Sequence, residues 1–131
     1  MKKNPYILLA LFAIVSISSC ATAGSIQAGP EIWAGVYTGV IPAADGPGIA
    51  VRLYLNTDET YELHYLYVDR DSDIYILNGM YSWNAKTSLI TLDTSPSYYR
   101  LGEHFITQLD MEGKEITGPL AEDYVLRKIA R

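Results

Sequence analysis

Basic side chains are scarce in this sequence. Ten lysines and arginines stand against 15 aspartates and glutamates, which gives a formal net charge of −5. Residues 1–19 hold Lys2 and Lys3 and no acidic residue, so without them eight basic side chains remain against 15 acidic ones, a formal −7. Because phosphate binding needs a basic face, this composition argues against nucleic acid as a partner.

The sequence also lacks an apolar run long enough for a comfortable membrane span. The run Tyr6–Val15 is about ten residues long, whereas a spanning helix needs roughly 20. Two lysines precede this run, and small residues follow it at positions 16–19. This order predicts a secretory signal peptide over residues 1–19, so we expect the chain to be exported.

Cysteine is present once, as Cys20, directly after the predicted leader. Ile17-Ser18-Ser19-Cys20 resembles the bacterial lipobox, in which the cysteine carries a thioether-linked diacylglycerol and usually a third acyl chain on its amine. A lone thiol in an oxidising compartment would otherwise have no partner. We therefore predict a lipid anchor at Cys20 rather than an ordinary signal peptide or a leftover thiol. Several acyl chains make membrane attachment durable.

Residues 20–31 are predicted to form the lipidated cysteine and a flexible tether, because the segment is small, polar and without periodicity. Ala21 follows the anchor cysteine at the position where a sorting rule of enteric bacteria reads an aspartate as an inner-membrane retention signal. By that resemblance we expect the protein to reach the outer membrane. The rule does not specify whether it lies on the periplasmic or the external face of that membrane.

Residues 32–131 are predicted to form one all-β domain without a helical period. In Ile49–Leu55 the apolar residues alternate with Ala50, Arg52 and Tyr54, which is the period of a half-buried strand. Further strands are expected at a spacing of about ten residues. The predicted strands are Trp33–Ile41, Ile49–Leu55, Tyr61–Val68, Tyr75–Trp83, Ser88–Leu92, Tyr98–Leu101, Phe105–Leu109 and Tyr124–Ile129.

The connections between these strands favour an up-and-down antiparallel barrel of about eight strands over a sandwich. Nearly all are of hairpin length, whereas Greek keys need longer crossings. Asp110–Gly113 suits a hairpin loop, and an excursion is expected over Gly118–Asp123. Closure of the barrel would also remove exposed edges that invite aggregation.

A Pro/Gly-rich loop joins the first two strands and is the first place to look for a site. It contains two prolines and two glycines between Ile41 and Ile49, which cannot continue a strand ladder and must form a compact loop. We mark six of its residues as a site for a partner protein: Pro42, Ala43, Ala44, Asp45, Gly46 and Gly48.

This loop and its surroundings resemble the N-terminal domain of the NlpE copper-resistance lipoproteins. The most specific part is Gly39-Val-Ile-Pro42, followed by Ala44-Asp45 and Gly48-Ile49, and the likeness runs from about Trp33 to Arg127. Supporting segments are Leu53–Tyr61, Gly79–Trp83, Tyr98–Arg100 and Leu109–Ile116. The resemblance implies an outer-membrane lipoprotein with a small lipocalin-like barrel, tied to copper tolerance, surface sensing and activation of an envelope stress response.

The sequence departs from this family at the loop. The family typically has Pro-Cys-x-x-Cys there, a pair suited to soft metals or disulfide exchange, whereas this chain has Ala43 and Gly46. Copper binding by the loop is therefore not expected. The second domain of longer relatives is also not found before Arg131.

Other patterns give little support for a metal site or for catalysis. Asp69-x-Asp71-x-Asp73 begins like a calcium loop, but Ile74 and Met80 stand where a glycine and a bidentate glutamate belong. A soft-metal site would have to combine His64 and His104 with Met80 and Met111, which have no ligand spacing; His64 is expected to point outward. No nucleophile elbow and no acid–base pair is evident. We expect no metal, no cofactor and no enzymatic activity.

Aromatic residues form a stripe along the predicted strands, and two interpretations stay open. Aromatic side chains fill the interior of small barrels, and this is the leading interpretation. The alternative is a partly open cavity for an apolar ligand. Its candidate lining is Trp33, Tyr37, Tyr61, Tyr65, Tyr81 and Trp83, with Tyr67 on the same stripe.

The sequence therefore predicts an outer-membrane lipoprotein with a non-catalytic binding or sensing role in envelope stress or copper homeostasis. The main alternative is a carrier of small apolar ligands or lipids. A third is a structural surface domain that meets a partner protein through the loop Pro42–Gly48.

Overall fold

The computed structural model describes residues 29–70, 72–93 and 97–131. The predicted signal peptide, Cys20 and most of the tether lie outside these residues. The described elements are α1 (Pro30–Trp33), β1 (Gly35–Ile41), β2 (Ile49–Leu55), β3 (Thr60–Tyr67), β4 (Tyr75–Asn84), β5 (Leu89–Leu92), β6 (Tyr98–Leu101), β7 (Phe105–Gln108), a 3₁₀ turn (Ala121–Tyr124) and β8 (Val125–Ala130). Among the described residues, no helix has the length and apolar character needed to cross a membrane.

The eight strands form a closed barrel with up-and-down order. Each strand pairs antiparallel with the next along the chain, and β8 pairs with β1 to close the sheet. The β1–β2 pair runs in unbroken register from Gly35 opposite Leu55 to Ile41 opposite Ile49. The β1–β8 seam shifts register between Val36 and Tyr37. This architecture confirms the predicted all-β, eight-stranded antiparallel barrel.

The core follows the alternation of the strands. In β2, Val51, Leu53 and Leu55 are buried while Arg52 is exposed, because successive side chains of a strand point to opposite faces. The other strands follow the same alternation, and their inward-facing apolar residues fill the barrel. The buried core comprises Trp33, Tyr37, Ile41, Val51, Leu53, Leu55, Tyr61, Leu63, Tyr81, Ile90, Leu92, Tyr99, Ile106 and Leu126.

The one-turn helix α1 closes one end of the barrel. The sequence predicts a strand that starts at Trp33, but this residue ends α1, and β1 begins at Gly35. Trp33 is buried and its ring centroid lies 4.3 Å from that of Trp83. The Tyr37 hydroxyl donates to the Trp33 carbonyl oxygen at 2.7 Å. The turn of α1 places the Trp33 ring against Trp83 in the core.

The two ends of the barrel therefore differ. The plugged end carries α1, and the polypeptide enters the barrel there. Because β1 runs away from α1 and the strands alternate in direction, the connections β1–β2, β3–β4, β5–β6 and β7–β8 all lie at the opposite end. We call this opposite end the mouth. The predicted Pro/Gly-rich loop is one of its four connections.

Candidate functional site: the barrel mouth

Gly48 fixes the shape of the Pro/Gly-rich loop. It is buried with φ +143°, and a Cβ atom at this position would lie 2.7 Å from Val40 Cγ1 and 3.0 Å from the Ile41 carbonyl oxygen. A side chain is therefore excluded both by the backbone conformation and by close neighbours. The Gly48 carbonyl oxygen accepts a hydrogen bond from the Val68 amide at 3.1 Å, which attaches the base of the loop to the end of β3.

A second contact joins the tip of this loop to the β3–β4 connection. The Arg70 Nη1 atom lies 3.3 Å and 3.4 Å from the two carboxylate oxygens of Asp45. The two side chains are 60% and 81% exposed. Because water screens an exposed ion pair, its net contribution to stability is small, about 0–1 kcal/mol. The pair links the two connections at the surface of the mouth.

An aromatic recess opens beside this ion pair. It has a volume of about 570 Å³ and is lined by Tyr65, Tyr67, Arg70, Tyr75 and Leu77. Tyr65 lies opposite Tyr75 in the β3–β4 register, and the rings of Tyr67 and Tyr75 meet edge to face at 6.0 Å. The guanidinium carbon of Arg70 lies 6.0 Å from the centre of the Tyr67 ring, at the limit for a cation–π contact. The recess therefore combines apolar walls with one cationic rim.

Four of the six candidate cavity residues lie in the packed core. Trp33, Tyr37, Tyr61 and Tyr81 are each at most 4% exposed, and the Tyr81 hydroxyl donates to the Asn56 carbonyl oxygen at 2.6 Å. Trp83 is partly buried and packs against this core. Tyr65 is the member of the set that lines the recess. These aromatic residues mainly fill the barrel, and the recess forms where the stripe reaches the mouth.

Burial also determines the protonation of the core tyrosines. It raises the pKa of Tyr37 to about 12, with a smaller contribution from the nearby Tyr81. Burial likewise raises the pKa of Tyr99. Both hydroxyls therefore stay neutral at physiological pH. Among the described residues, no charged or polar side chain other than tyrosine and tryptophan is fully buried, so the core offers no desolvated acid–base pair of the kind that enzymes use.

The two histidines occupy separate places. His64 lies on the outer face of β3, as expected, and its Nε2 contacts the carboxylate of Glu62. His104 lies in the β6–β7 turn, 3.8 Å from a carboxylate oxygen of Glu103. Within the described ranges, no three His, Cys, Asp or Glu side chains are grouped as metal ligands. The absence of a metal site stays a prediction for the chain as a whole.

Comparison with known proteins identifies the family. The model of the NlpE N-terminal domain matches residues 37–119, which is more than half of the chain. This chain belongs to the NlpE family. The match confirms the resemblance inferred from the Pro/Gly-rich loop and its flanking strands. No curated protein sequence matches the chain.

Solved structures support the assignment. The fold is similar to the crystal structure of a Shewanella oneidensis protein provisionally assigned as a lipoprotein, with 43% sequence identity and a TM-score of 0.68 over 73% of this chain and 88% of that one. It is also similar to the Cpx pathway activator NlpE from Escherichia coli, with 29% identity and a TM-score of 0.52. That match covers 64% of this chain and 46% of the Escherichia coli protein.

The mouth of this NlpE-family barrel was only partly predictable. The sequence predicts site residues in the Pro/Gly-rich loop and at Tyr65 and places Tyr67 on the same aromatic stripe, but it gives no such role to Arg70, Tyr75 and Leu77. A signal did exist, because Tyr67 and Tyr75 flank the β3–β4 connection and share the inward parity of Tyr65. The ion pair between Asp45 and Arg70 joins residues 25 positions apart and has no local sequence signal.

Proposed function

We propose that this NlpE-family chain is an outer-membrane lipoprotein, anchored through Cys20, that acts by non-catalytic binding at the barrel mouth in envelope stress sensing or copper homeostasis. The observation that carries this proposal is the joining of the family loop to an aromatic recess in one connected mouth. The related Escherichia coli protein is a Cpx pathway activator, which supports a role in envelope stress.

Because the polypeptide enters the barrel at the plugged end, we expect the mouth to lie on the side away from the lipid anchor. The chain enters the barrel through α1 at the plugged end, and nine residue steps separate Cys20 from Gly29. At about 3.3–3.6 Å per residue these steps reach about 30 Å when extended. An anchor at Cys20 attaches to the plugged end, and a tether of this reach leaves the loop and the recess accessible to a partner in the envelope.

Binding without catalysis is favoured by the contents of the mouth. Asp45 and Arg70, the charged pair beside the recess, are exposed to water. Enzymes normally hold a general acid or base in a cleft that is shielded from water. Tyrosine rings with one guanidinium at the rim are instead suited to recognition.

The anchor is tested by metabolic labelling with radiolabelled palmitate and by density-gradient separation of the two membranes. We expect the wild-type protein to incorporate label and to sediment with the outer membrane, and Cys20→Ala to incorporate none. Ala21→Asp provides a matched control that keeps the lipid. It should retain the label but move to the inner membrane. Unlabelled wild-type protein would refute the lipid anchor. Labelled wild-type protein in the inner membrane would refute the outer-membrane location.

Signalling is tested with an envelope stress reporter in cells that overproduce the protein. We expect wild type to activate the reporter and Asp45→Lys, which breaks the contact with Arg70, to activate it less at equal abundance. Glu59→Lys, in the β2–β3 connection at the plugged end, gives the same change in charge at an exposed position away from the mouth. Equal responses of the wild type and Asp45→Lys would show that the family loop does not take part.

Copper is tested by calorimetric titration of the purified protein. The loop has Ala43 and Gly46 where thiolates would stand in the family pattern, so we expect no submicromolar binding. The double variant Ala43→Cys/Gly46→Cys should gain affinity under reducing conditions. Submicromolar binding by the wild type would assign copper to residues other than the loop.

A carrier of small apolar ligands is the second candidate, and the recess of about 570 Å³ is the observation that favours it. This volume lies within the usual range for ligand pockets, about 300–1,000 Å³. A fluorescent fatty acid should then gain intensity with the wild type and lose affinity in Leu77→Arg, which narrows the recess. Arg70→Gln should weaken binding of the acid but not of its methyl ester. Failure of the wild type to take up the probe would exclude this candidate.

A further inference from the structure

A second cleft lies on the outer wall of the barrel, next to the mouth, and shares Tyr65 with the recess. It has a volume of about 220 Å³ and its lining includes Thr38, Ala50, Arg52, His64, Leu66 and Ile74. We call this set the wall cleft. It crosses three neighbouring strands, since Thr38 lies opposite Arg52, and Arg52 lies opposite His64.

The wall cleft is divided into a polar row and an apolar row. Thr38, Arg52 and His64 form the polar row. The apolar row lies two positions nearer the mouth on each strand, where Ala50 is opposite Leu66. Val40 on β1 is opposite Ala50 and extends this row beyond the cleft. The rows are about 7 Å apart, the spacing of alternate residues along a strand. Ala50 has the smallest side chain of its row, so the wall is recessed there.

The polar row offers one cation and one hydrogen-bond acceptor. Arg52 is exposed, and among the described residues no acidic side chain forms an ion pair with it. The Thr38 hydroxyl donates to the Val51 carbonyl oxygen at 3.0 Å. Because its single hydrogen is committed, the Thr38 oxygen can act towards a ligand only as an acceptor. His64 is held by Glu62 and packs 5.1 Å from the Tyr54 ring, which fixes that side of the cleft.

The apolar row continues onto a hydrophobic surface. Ile74 is 57% exposed and borders the cleft beside Leu66. An exposed isoleucine next to a recess loses contact with water when an aliphatic group fills that recess, and this burial is favourable. The cleft therefore requires a ligand with an anion, a hydrogen-bond donor and an aliphatic group within a few ångströms of one another.

We propose that the wall cleft binds the carboxyl-terminal residue of a peptide that has a free carboxylate and an aliphatic side chain. The carboxylate pairs with the guanidinium of Arg52, whose planar fork matches two carboxylate oxygens. The amide N–H of that residue donates to the Thr38 oxygen. Its side chain lies over Ala50 between Leu66 and Ile74. A fatty acid supplies the carboxylate and the apolar chain but no N–H donor for Thr38.

The test is saturation-transfer difference NMR on the full chain in a neutral detergent. The probes are acetyl-glycyl-leucine, its carboxyl-terminal amide and hexanoate. We expect the free acid to bind, the amide to bind about tenfold more weakly because it lacks the charge-assisted hydrogen bond, and hexanoate to bind several-fold more weakly. The absence of a signal with millimolar free acid would overturn the proposal. Equal binding of acid and amide would do the same, and hexanoate as strong as the peptide would overturn the assignment to a peptide.

Variants locate the binding and keep the test independent of folding. Arg52→Gln should lower the affinity for the free acid about tenfold and leave that for the amide unchanged, since the contact it removes is made by the carboxylate. Ala50→Leu fills the recess and should abolish binding of both peptides at an unchanged urea midpoint. Arg131→Gln makes the same change in charge at the plugged end and should have no effect. If it weakened binding as much as Arg52→Gln, the attraction would be general electrostatics and the site would be refuted.

Discussion

Two buried tyrosines allow the same chemical change to be made with opposite consequences. The Tyr37 hydroxyl donates to the Trp33 carbonyl oxygen at 2.7 Å inside the core. The Tyr61 hydroxyl is also buried, but it has no hydrogen-bond partner among the described residues. Replacement of either residue by phenylalanine removes one oxygen atom and leaves the ring in place. The difference between the two variants therefore reports the hydrogen bond.

The expected magnitudes follow from the two environments. Tyr37→Phe loses a hydrogen bond worth about 1 kcal/mol and leaves the Trp33 carbonyl unsatisfied, so we expect a loss of about 2 kcal/mol in the free energy of unfolding. Tyr61→Phe removes a polar atom that is buried without compensation, so we expect no loss and up to about 1 kcal/mol of gain. The two variants should thus differ by about 2–3 kcal/mol.

Urea unfolding followed by far-ultraviolet circular dichroism measures this difference, because the signal reports the backbone, which neither substitution alters. For a domain of this size, 2 kcal/mol corresponds to roughly 10 °C in Tm. Equal m-values would confirm that both variants unfold from the same native state. The reasoning would be refuted if Tyr61→Phe destabilised the protein as much as Tyr37→Phe, since the Tyr61 hydroxyl would then have a stabilising partner.

Further predictions concern the loop, the core and a turn. Gly48→Ala should destabilise the protein by about 3 kcal/mol and Gly46→Ala by about 1 kcal/mol. Both glycines have positive φ, but of the two only Gly48 has neighbours within 4 Å of an added Cβ atom. The urea midpoints of the two variants measure this difference. The pKa of Tyr37 is about 12 in the folded chain against an ordinary value of about 10, so ionisation favours the unfolded chain. Tyr37 therefore contributes no pH dependence below pH 10, and stability should fall between pH 10 and 12 less steeply in Tyr37→Phe than in the wild type. Equal falls in both would contradict this. The Asp110 carboxylate accepts hydrogen bonds from the amides of Glu112 and Lys114 at 2.8 and 2.9 Å, which lowers its pKa; Asp110→Ala should therefore speed hydrogen exchange at these two amides, and unchanged exchange would show that the turn holds without the side chain.

The fold could be predicted because its determinants are local. The alternation in Ile49–Leu55 appears in the structure as β2 with a buried and an exposed face. The turn predicted at Asp110–Gly113 is present, with the Gly113 amide donating to the Asp110 carbonyl oxygen at 3.0 Å. A strand period and a turn residue act over a few positions, so the sequence is sufficient to predict them.

The start of the barrel could not be predicted in the same way. Trp33 fits the period of a strand with Gly35 and Tyr37, yet it lies in α1 and packs on Trp83. Tertiary packing overrides the local preference here, because burial of the large Trp33 ring at the end of the barrel outweighs the preference for an extended backbone. The predicted boundary between the tether and the domain, at residues 31 and 32, lies inside this helix.

By itself the sequence determined the strands, the order of a closed barrel and the NlpE family, because alternation, turn residues and a short motif are properties of neighbouring positions. The tertiary structure alone decided which aromatic residues fill the core and which line a recess. It also decided that Asp45 meets Arg70 and that Thr38, Arg52 and His64 form one row. These contacts join residues from different strands and connections, and the register of neighbouring strands brings them together.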